Sequence, residues 1–551
     1  MNNCDNWERY KTYLYTNEAL GLALDYSRID FPEGYFREME SEMQEAFQMI
    51  RELEKGAIAN PDEERMVGHY WLRDAAFAPN KEIETEIKQT SERIRNFGQA
   101  VKDGKITSPT GRKFTRFLLI GIGGSALGPQ LICDALKAKG KAKEKNKSVG
   151  LQAYFLDNTD PDGIDRVLGE LDGYLEQTLV IVTSKSGGTI ETRNGMLEVQ
   201  NFFATRGLDF TGQTVAITTK GSKLDLQAEK EKWLARFYIW DWVGGRTSVT
   251  SAVGLLPAIL QEIDITALLQ GARDCDEVTR KADLLNNPAA IMALMWYFLV
   301  QKESKRNMVI LPYRDSLQLL SRYLQQLVME SLGKEQNLKN EIVQEGLTVF
   351  GNKGSTDQHA YVQQLLDGVN DFYALFVEVQ QDQRTHTVFV EENITSGDYL
   401  KAFLEGTRSA LSKKGRESLT LSLQEITPYT MGVLIALFER TVSFYAALIN
   451  VNAYHQPGVE LGKKGANHYI ALQRQILQYL REKKGQAFTA EELAAELKQP
   501  EETELIYKLL EHLSLNKYHD VKKEKGEDSF SVKYLFQSIN PINPDLLKGK
   551  A

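Results

Sequence analysis

The sequence predicts an α/β protein built on two doubly wound sheets, preceded by a helical region and followed by a small separate module. Three observations lead there. Short, continuously apolar runs alternate with helical stretches from about residue 111 onward, the pattern of parallel strands buried on both faces. A second set of such runs starts near Ala289. The texture changes once more after residue 483, where a short helix pair and two strand-like runs close the chain. A chain of 551 residues exceeds one hydrophobic core, so two or three domains are expected.

Taken in order, residues 1–110 form the helical region, with apolar residues at helical spacing from Phe36 to Leu53 and from Glu82 to Phe97. The first α/β domain spans 111–288. Its strands are expected at Phe117–Ile120, Ala153–Leu156, Leu179–Thr183, Val215–Thr218 and Phe237–Trp240, with a helix from about Leu127 to Ala138. The second α/β domain spans 289–483, with its clearest strands at Met308–Leu311 and Thr387–Val390 and helices dominating from Tyr429 to about Glu482. Residues 484–551 read as a winged-helix-like appendage: Thr489-Ala-Glu-Glu opens a helix with a capping-box pattern, a second helix covers about Glu502–Leu513, and Asp520-Val-Lys-Lys and Phe530-Ser-Val-Lys make a hairpin. Its acidic and basic residues roughly balance, which favours a structural or interface role over a DNA reader.

Bulk properties exclude several classes. A net charge of −9 argues against nucleic acid or an anionic membrane as partner, while leaving room for a small anionic ligand held by local donors. Three cysteines, Cys4, Cys133 and Cys275, are too few and too scattered for a disulfide framework or a thiolate zinc site. No ligand-spaced His/Cys cluster points to a metal. The polar N-terminus lacks a signal core, and no apolar run approaches the ~20 residues of a membrane span, so a cytoplasmic location is expected.

Two loops offer binding chemistry. Gly121-Ile-Gly-Gly-Ser-Ala-Leu-Gly128 lies between a strand and a helix. Its glycines, Gly124 among them, let backbone approach a ligand, the helix start supplies unpaired N–H groups, and Ser125 adds a hydroxyl. The same spacing fits a dinucleotide turn with Asp157 as the ribose acid, although Asp157 lies beyond the usual ~20 residues. A tight turn with no ligand is the third reading. Leu179-Val-Ile-Val-Thr-Ser-Lys-Ser-Gly-Gly-Thr189 repeats the strand–loop–helix order with Ser184, Lys185, Ser186 and Thr189 in the loop. Hydroxyls and backbone N–H groups at a helix start suit a phosphate monoester; a solvated Ser/Thr turn is the alternative. A dinucleotide sheet has no evident need for this second loop. Together the loops suggest one phosphosugar pocket at the carboxyl ends of neighbouring strands.

The chain also carries an ordered set of family segments. Asp241-Trp-Val-Gly-Gly-Arg-Thr-Ser-Val-Thr-Ser-Ala-Val-Gly254 resembles the first signature of the glucose-6-phosphate isomerases, and Tyr454-His-Gln-Pro-Gly-Val-Glu-Leu-Gly-Lys463 resembles the second. Between them, Gln326-Leu-Val-Met-Glu-Ser-Leu-Gly-Lys334 and Gly354-Ser-Thr-Asp-Gln-His359 resemble the two catalytic segments, and Arg65-Met-Val-Gly-His-Tyr-Trp-Leu-Arg73 looks like a diverged N-terminal motif. The matches run in order from about residue 60 to 465. Thr247 stands where the family usually has Tyr or Phe, and His455 where Asp or Asn precedes Gln; both flank matched residues without replacing them.

This resemblance implies two sugar-isomerase-type (SIS) domains and reversible conversion of glucose 6-phosphate to fructose 6-phosphate, in glycolysis and gluconeogenesis, without cofactor or metal. It places Glu330 as the base that shuttles a proton between C2 and C1, and Arg246 as the stabiliser of the enediolate. His359 becomes the acid/base for ring opening, aided by Lys463 at the ring oxygen. Gly124, Ser125, Ser184, Lys185, Ser186, Thr189, Gln326 and Gln456 are implied substrate contacts. The family works as a homodimer with the matching histidine reaching the neighbour's pocket. A non-catalytic sugar-phosphate sensor, a nicotinamide-dependent dehydrogenase and a relative that also accepts mannose 6-phosphate are the competing readings.

Overall fold

The computed structural model describes residues 3–137, 150–383 and 386–537; Ala138 and the last residues of the expected appendage, 538–551, lie outside the described residues, as do the side chains of 3–5, including Cys4, and of 459–461. The chain divides into two compact units, Met1–His455 and Gln456–Ala551.

In the first unit, the N-terminal region departs from the expected all-helical reading. Helices Glu40–Glu54 and Lys81–Lys102 form, but an antiparallel hairpin of β1 (Leu14–Asn17) and β2 (Leu22–Arg28) lies before them. Leu22-Ala-Leu-Asp-Tyr-Ser-Arg carries no β-branched residue and little local strand signal. Its strand state comes from pairing with a distant partner, which overrides propensity.

The first sheet holds five parallel strands, β3 (Arg116–Ile120), β4 (Gln152–Leu156), β5 (Thr178–Ser184), β6 (Thr214–Thr218) and β7 (Ala235–Tyr238), in the spatial order β4-β3-β5-β6-β7. Every residue of β5 and β6 is buried, as parallel strands covered on both faces require. The chain reverses direction across the sheet between β3 and β5, and that reversal is the switch point at which such sheets bind ligands.

The second sheet is mixed. Strands β8 (Asn307–Pro312), β9 (Thr348–Phe350), β10 (Phe372–Val379) and β11 (Ser418–Leu423) run parallel, and the order is β1-β2-β11-β10-β8-β9. The expected strand at Thr387–Val390 is not part of it. Phe389–Glu391 pairs only with Ile394–Thr395 in a small hairpin, and Val388, Phe389 and Val390 are 54%, 61% and 51% exposed. The apolar run there is a surface feature, and the central strand of this sheet is the Phe-Tyr-Ala-Leu-Phe-Val-Glu-Val of β10.

Helices Pro428–Leu448 and Pro288–Tyr297 share one continuous core with residues of both sheets. Pro428–Leu448 is long and apolar enough to cross a membrane by composition, yet 89% of its apolar window is buried inside the protein, which makes it a core helix. It carries two buried charges, Glu439 and Arg440. Arg440 Nε bonds Asp276 Oδ1 at 2.9 Å and Arg73 Nη1 bonds the same oxygen at 2.7 Å; Arg73 also pairs with Glu439, and Arg440 with Glu54. Arg440 lies over the Tyr70 ring at 4.0 Å. The Arg65–Arg73 motif thus ends in a buried ion network that ties the N-terminal segment to the core helices; removing one partner of such a network leaves an uncompensated charge.

The second unit contains helices Pro457–Glu482, Ala490–Glu496 and Thr503–Leu515 and a hairpin of Val521–Glu524 with Lys533–Phe536. Leu472, Ile476 and Leu480 of the first helix share its core with Leu493, Ile506, Leu509, Leu510, Val521 and Tyr534. Thr489 forms the expected capping box with Glu492. The second hairpin strand starts at Lys533, three residues later than expected, because Asp528 Oδ1 accepts the Phe530 and Ser531 N–H groups and holds a turn there.

Candidate active site

The two loops emerge from adjacent strands. β3 ends at Ile120, paired with Val182 two residues before β5 ends. The segment Gly123–Ser125 makes one 3-10 turn and helix Leu127–Leu136 follows; Ser184–Thr189 leads into helix Ile190–Ala204. Both loops therefore present helix starts at the switch point, where N–H groups lack intrahelical partners. In the second loop Ser184 Oγ donates to Thr189 Oγ1 at 3.0 Å, and Ser186 Oγ accepts from Gly188 N at 3.2 Å. Gly187 sits at φ +65°, and a Cβ there would stand 2.6 Å from Leu224 N, so no larger residue fits without rearrangement. Asp157, the candidate ribose acid, accepts from Gln130 Nε2 at 2.9 Å.

Lys185 is committed to backbone. Its ammonium donates to the carbonyls of Asp241 and Val243, each at 2.7 Å, and so fixes the chain entering Gly244-Gly245-Arg246. Burial, with Arg65 adding to it, brings this amine down to about 8.

Gly244–Thr247 then packs against the first loop. A Cβ on Gly124 would meet the Gly245 carbonyl oxygen at 2.0 Å, and Ser248 Oγ lies 2.8 Å from the Gly245 carbonyl and 3.3 Å from that of Gly124. Arg246, the next residue, is almost wholly buried. Its Nε donates to Ser331 Oγ at 2.9 Å, its Nη2 to the Ala453 carbonyl at 2.6 Å and the His455 carbonyl at 3.4 Å, and its Nη1 lies 3.4 Å from Glu330 Oε2. Burial lowers the guanidinium from its ordinary value while the Glu330 carboxylate opposes that shift.

Glu330 closes a π-helical turn, Gln325–Glu330, that follows helix Leu320–Leu324. Wide turns of this kind recur at functional sites because they re-aim side chains. The same turn carries Gln326, whose Nε2 would stand 3.0 Å from a Cβ on Gly123. The structure thus gathers Gly124, the Gly244–Arg246 turn, Gln326 and Glu330 into one site, with the Ser184–Thr189 loop linked to it through Lys185.

Three expected residues remain, His359, Gln456 and Lys463. His359 ends the short turn Thr356–His359 and is exposed; its imidazole makes no hydrogen bond or ion pair with a described residue. Asp357 holds that turn by accepting from the Asn352 and Lys353 N–H groups at 2.8 and 3.0 Å. Gln456 and Lys463 belong to the second unit, Gln456 capping helix Pro457–Glu482 and Lys463 exposed near its start.

The sequence model of the family described as phosphoglucose isomerase matches residues 25–479. The chain belongs to the phosphoglucose isomerase family. A glucose-6-phosphate isomerase from Geotalea daltonii is 54% identical over 534 residues, covering 97% of this chain and 99% of its own, and one from Synechococcus elongatus is 54% identical over 510 residues, covering 93% and 95%. The crystal structure of a glucose-6-phosphate isomerase from Chlamydia trachomatis superposes with a TM-score of 0.76 at 25% identity, covering 86% of this chain and 94% of that one.

At the two departures from the family pattern, the side chains make local contacts. Thr247 Oγ1 lies 3.4 Å from the Gly244 carbonyl and stays within its own turn. His455 contributes its backbone carbonyl, while its Nδ1 lies 3.2 Å from the Asn452 carbonyl and 3.7 Å from Asp62 Oδ2; burial and the nearby Lys334 lower it below the usual histidine range. Lys334 lies in the Gln326–Lys334 segment, and no role follows for it from the sequence. In the structure its buried ammonium bonds the Glu330 carbonyl at 2.7 Å and the His455 carbonyl at 3.2 Å. The only available signal was its place four residues after Glu330.

Proposed function

We propose that the chain interconverts D-glucose 6-phosphate and D-fructose 6-phosphate, as an intramolecular oxidoreductase, with Glu330 as base and Arg246 as electrostatic stabiliser. The observation that carries this reading is the Glu330 carboxylate held 3.4 Å from the Arg246 guanidinium beside the switch-point loops, in a chain of this family. The phosphate is gripped by Ser125, Ser184, Ser186 and Thr189 and by loop N–H groups, with the Lys185 charge behind them. His359 and Lys463 open the sugar ring. Glu330 takes the proton from C2, the pair of electrons moves into the C1 carbonyl, and the resulting enediolate is stabilised by Arg246. The hydroxyl proton passes from O2 to O1, Glu330 returns its proton to C1, and C2 becomes the carbonyl. Gln326 and Gln456 hold sugar hydroxyls.

The test is a coupled assay of glucose 6-phosphate beside mannose 6-phosphate with EDTA present, repeated with Glu330→Gln. Loss of the base should lower kcat by about 10²–10⁴-fold while KM changes little. Near-normal turnover in that variant would remove Glu330 from the mechanism.

The active form is proposed to be a homodimer in which His359 enters the partner subunit's pocket. Its support is the exposed imidazole, which makes no hydrogen bond with a described residue of its own chain. Mixing Glu330→Gln and His359→Ala chains should then restore about a quarter of wild-type activity, because hybrid dimers contain one intact site; no recovery in a mixture shown to exchange subunits argues for sites built from one chain.

A further inference from the structure

We infer that Lys334 is a positioning residue for the isomerisation: its ammonium clamps the turn carrying Glu330 to the same backbone segment that holds Arg246. This rests on the reading of Glu330 as the base. The helical stretch that delivers Glu330 runs to residue 332, so the Glu330 carbonyl lies in its last turn, where carbonyls lack intrahelical partners. Met329 uses its carbonyl to accept the Gly333 N–H at 2.8 Å. The Glu330 carbonyl is met instead by Lys334 Nζ at 2.7 Å, and the same ammonium reaches the His455 carbonyl at 3.2 Å.

The His455 carbonyl is shared. Arg246 Nη2 approaches it at 3.4 Å and takes the Ala453 carbonyl as well, at 2.6 Å. Base and stabiliser are thereby referenced to one short stretch of chain, 453–455: Arg246 directly, Glu330 through Lys334. That stretch is itself fixed, because Asn452 Oδ1 accepts the Tyr454 N–H at 2.9 Å and Asn452 Nδ2 bonds Asn60 and Asp62 at 2.9 and 2.5 Å. Lys334 is 4% exposed, so its ammonium is not a solvated surface charge.

The charged and titratable groups facing Lys334 are Arg246, Glu330, His455 and Asp62, with Glu63 acting on Arg246 and His455 and Glu345 opposite it in the hairpin Lys334–Gln336/Ile342–Glu345. Burial and the Arg246 charge bring Lys334 down to about 8, while Glu330 and Asp62 oppose that shift. Protonated Lys334 holds both carbonyls with charge-assisted bonds. Its deprotonation weakens them, so kcat should fall as pH rises through about 8.

The experiment measures kcat and KM of Lys334→Met and Lys334→Gln against wild type from pH 6.5 to 9.5, with Glu330→Gln alongside. A displacement of the base by about 1 Å costs on the order of 10²-fold. Lys334→Met should lose that much kcat with KM within about threefold, since the phosphate loops are untouched. The alkaline limb of kcat near pH 8 should disappear in both lysine variants. A folded Lys334→Met enzyme with kcat within threefold of wild type at pH 7 and the same alkaline limb would overturn the inference. So would a flat wild-type kcat across that range, which can be read even if neither variant folds. If Glu330→Gln itself remains active, the base assignment has failed, and that outcome is distinct from a normal Lys334→Met enzyme beside an inactive Glu330→Gln.

Discussion

Gly124→Ala is the most direct probe of how closely the first loop and the arginine turn must pack. An added Cβ would stand 2.0 Å from the Gly245 carbonyl oxygen and 2.3 Å from its carbon, whereas ordinary contact begins near 3.4 Å. The two backbones must therefore part by about 1.4 Å, and no flexible side chain is present to absorb the shift. Gly124 has no positive φ, so the effect is steric contact alone. The displaced peptide immediately precedes Arg246, whose guanidinium is set against Glu330 and the 453–455 carbonyls. A misplacement of about 1 Å costs roughly 10²-fold in rate, equivalent to about 2.7 kcal/mol of transition-state stabilisation. The assay is kcat/KM for glucose 6-phosphate, paired with thermal unfolding. Gly163→Ala is the control: it lies in helix Pro161–Leu171 with nothing within 4 Å of a new Cβ, and should leave activity unchanged while adding about 0.5–1 kcal/mol of stability. Gly124→Ala activity within threefold of wild type would refute the reasoning.

Two further predictions concern titration. Lys185, brought down to about 8, loses its charge as pH rises through that value, so wild-type KM for the hexose phosphate should climb above pH 8 and that climb should be absent in Lys185→Met, read from KM against pH. His69 is wholly buried beside Arg73 and Arg440 and is held neutral, well below the usual histidine value; the unfolded chain binds the extra proton below about pH 6.5, so stability falls with pH there, by about 1 kcal/mol between pH 6.5 and 5.5. Urea midpoints of wild type and His69→Phe over that range check it, and an equal slope in both would remove His69 as the cause.

The first sheet was legible because parallel strands buried on both faces leave unbroken apolar runs. Phe117–Ile120 and Leu179–Thr183 needed only one or two residues added at their ends. Phe237–Trp240 was displaced because Trp240 and Trp242 stack on each other, at 4.9 Å, outside the strand. The second sheet was harder. Val388-Phe389-Val390 has strand chemistry but an exposed position, and β2 has a buried strand position with little strand chemistry; both are decided by partners far away in sequence. The site divides in the same way. Short contiguous segments marked the loops, Arg246 and Glu330. That Lys185 binds carbonyls 56 and 58 residues away, and Lys334 one 121 residues away, could not be read from spacing.

The proposed catalytic groups have a long run of chain behind them. Arg246 and Lys334 are buried cations, and burial is tolerable only when each finds fixed acceptors. Those acceptors are mostly backbone carbonyls of 453–455, which cannot swing away as a carboxylate side chain could. The segment is held in turn by the Tyr454 hydroxyl, which donates to Ser443 Oγ at 3.0 Å, and Ser443 Oγ lies 2.8 Å from the Tyr70 hydroxyl. Ser443 stands one turn beyond Glu439 on the core helix, and Tyr70 lies under Arg440. The buried ion network and the Arg246–Glu330 pair are thus two ends of one hydrogen-bonded structure. Buried charge of this kind costs desolvation, and on the proposed mechanism it fixes the position of the base and its counter-charge.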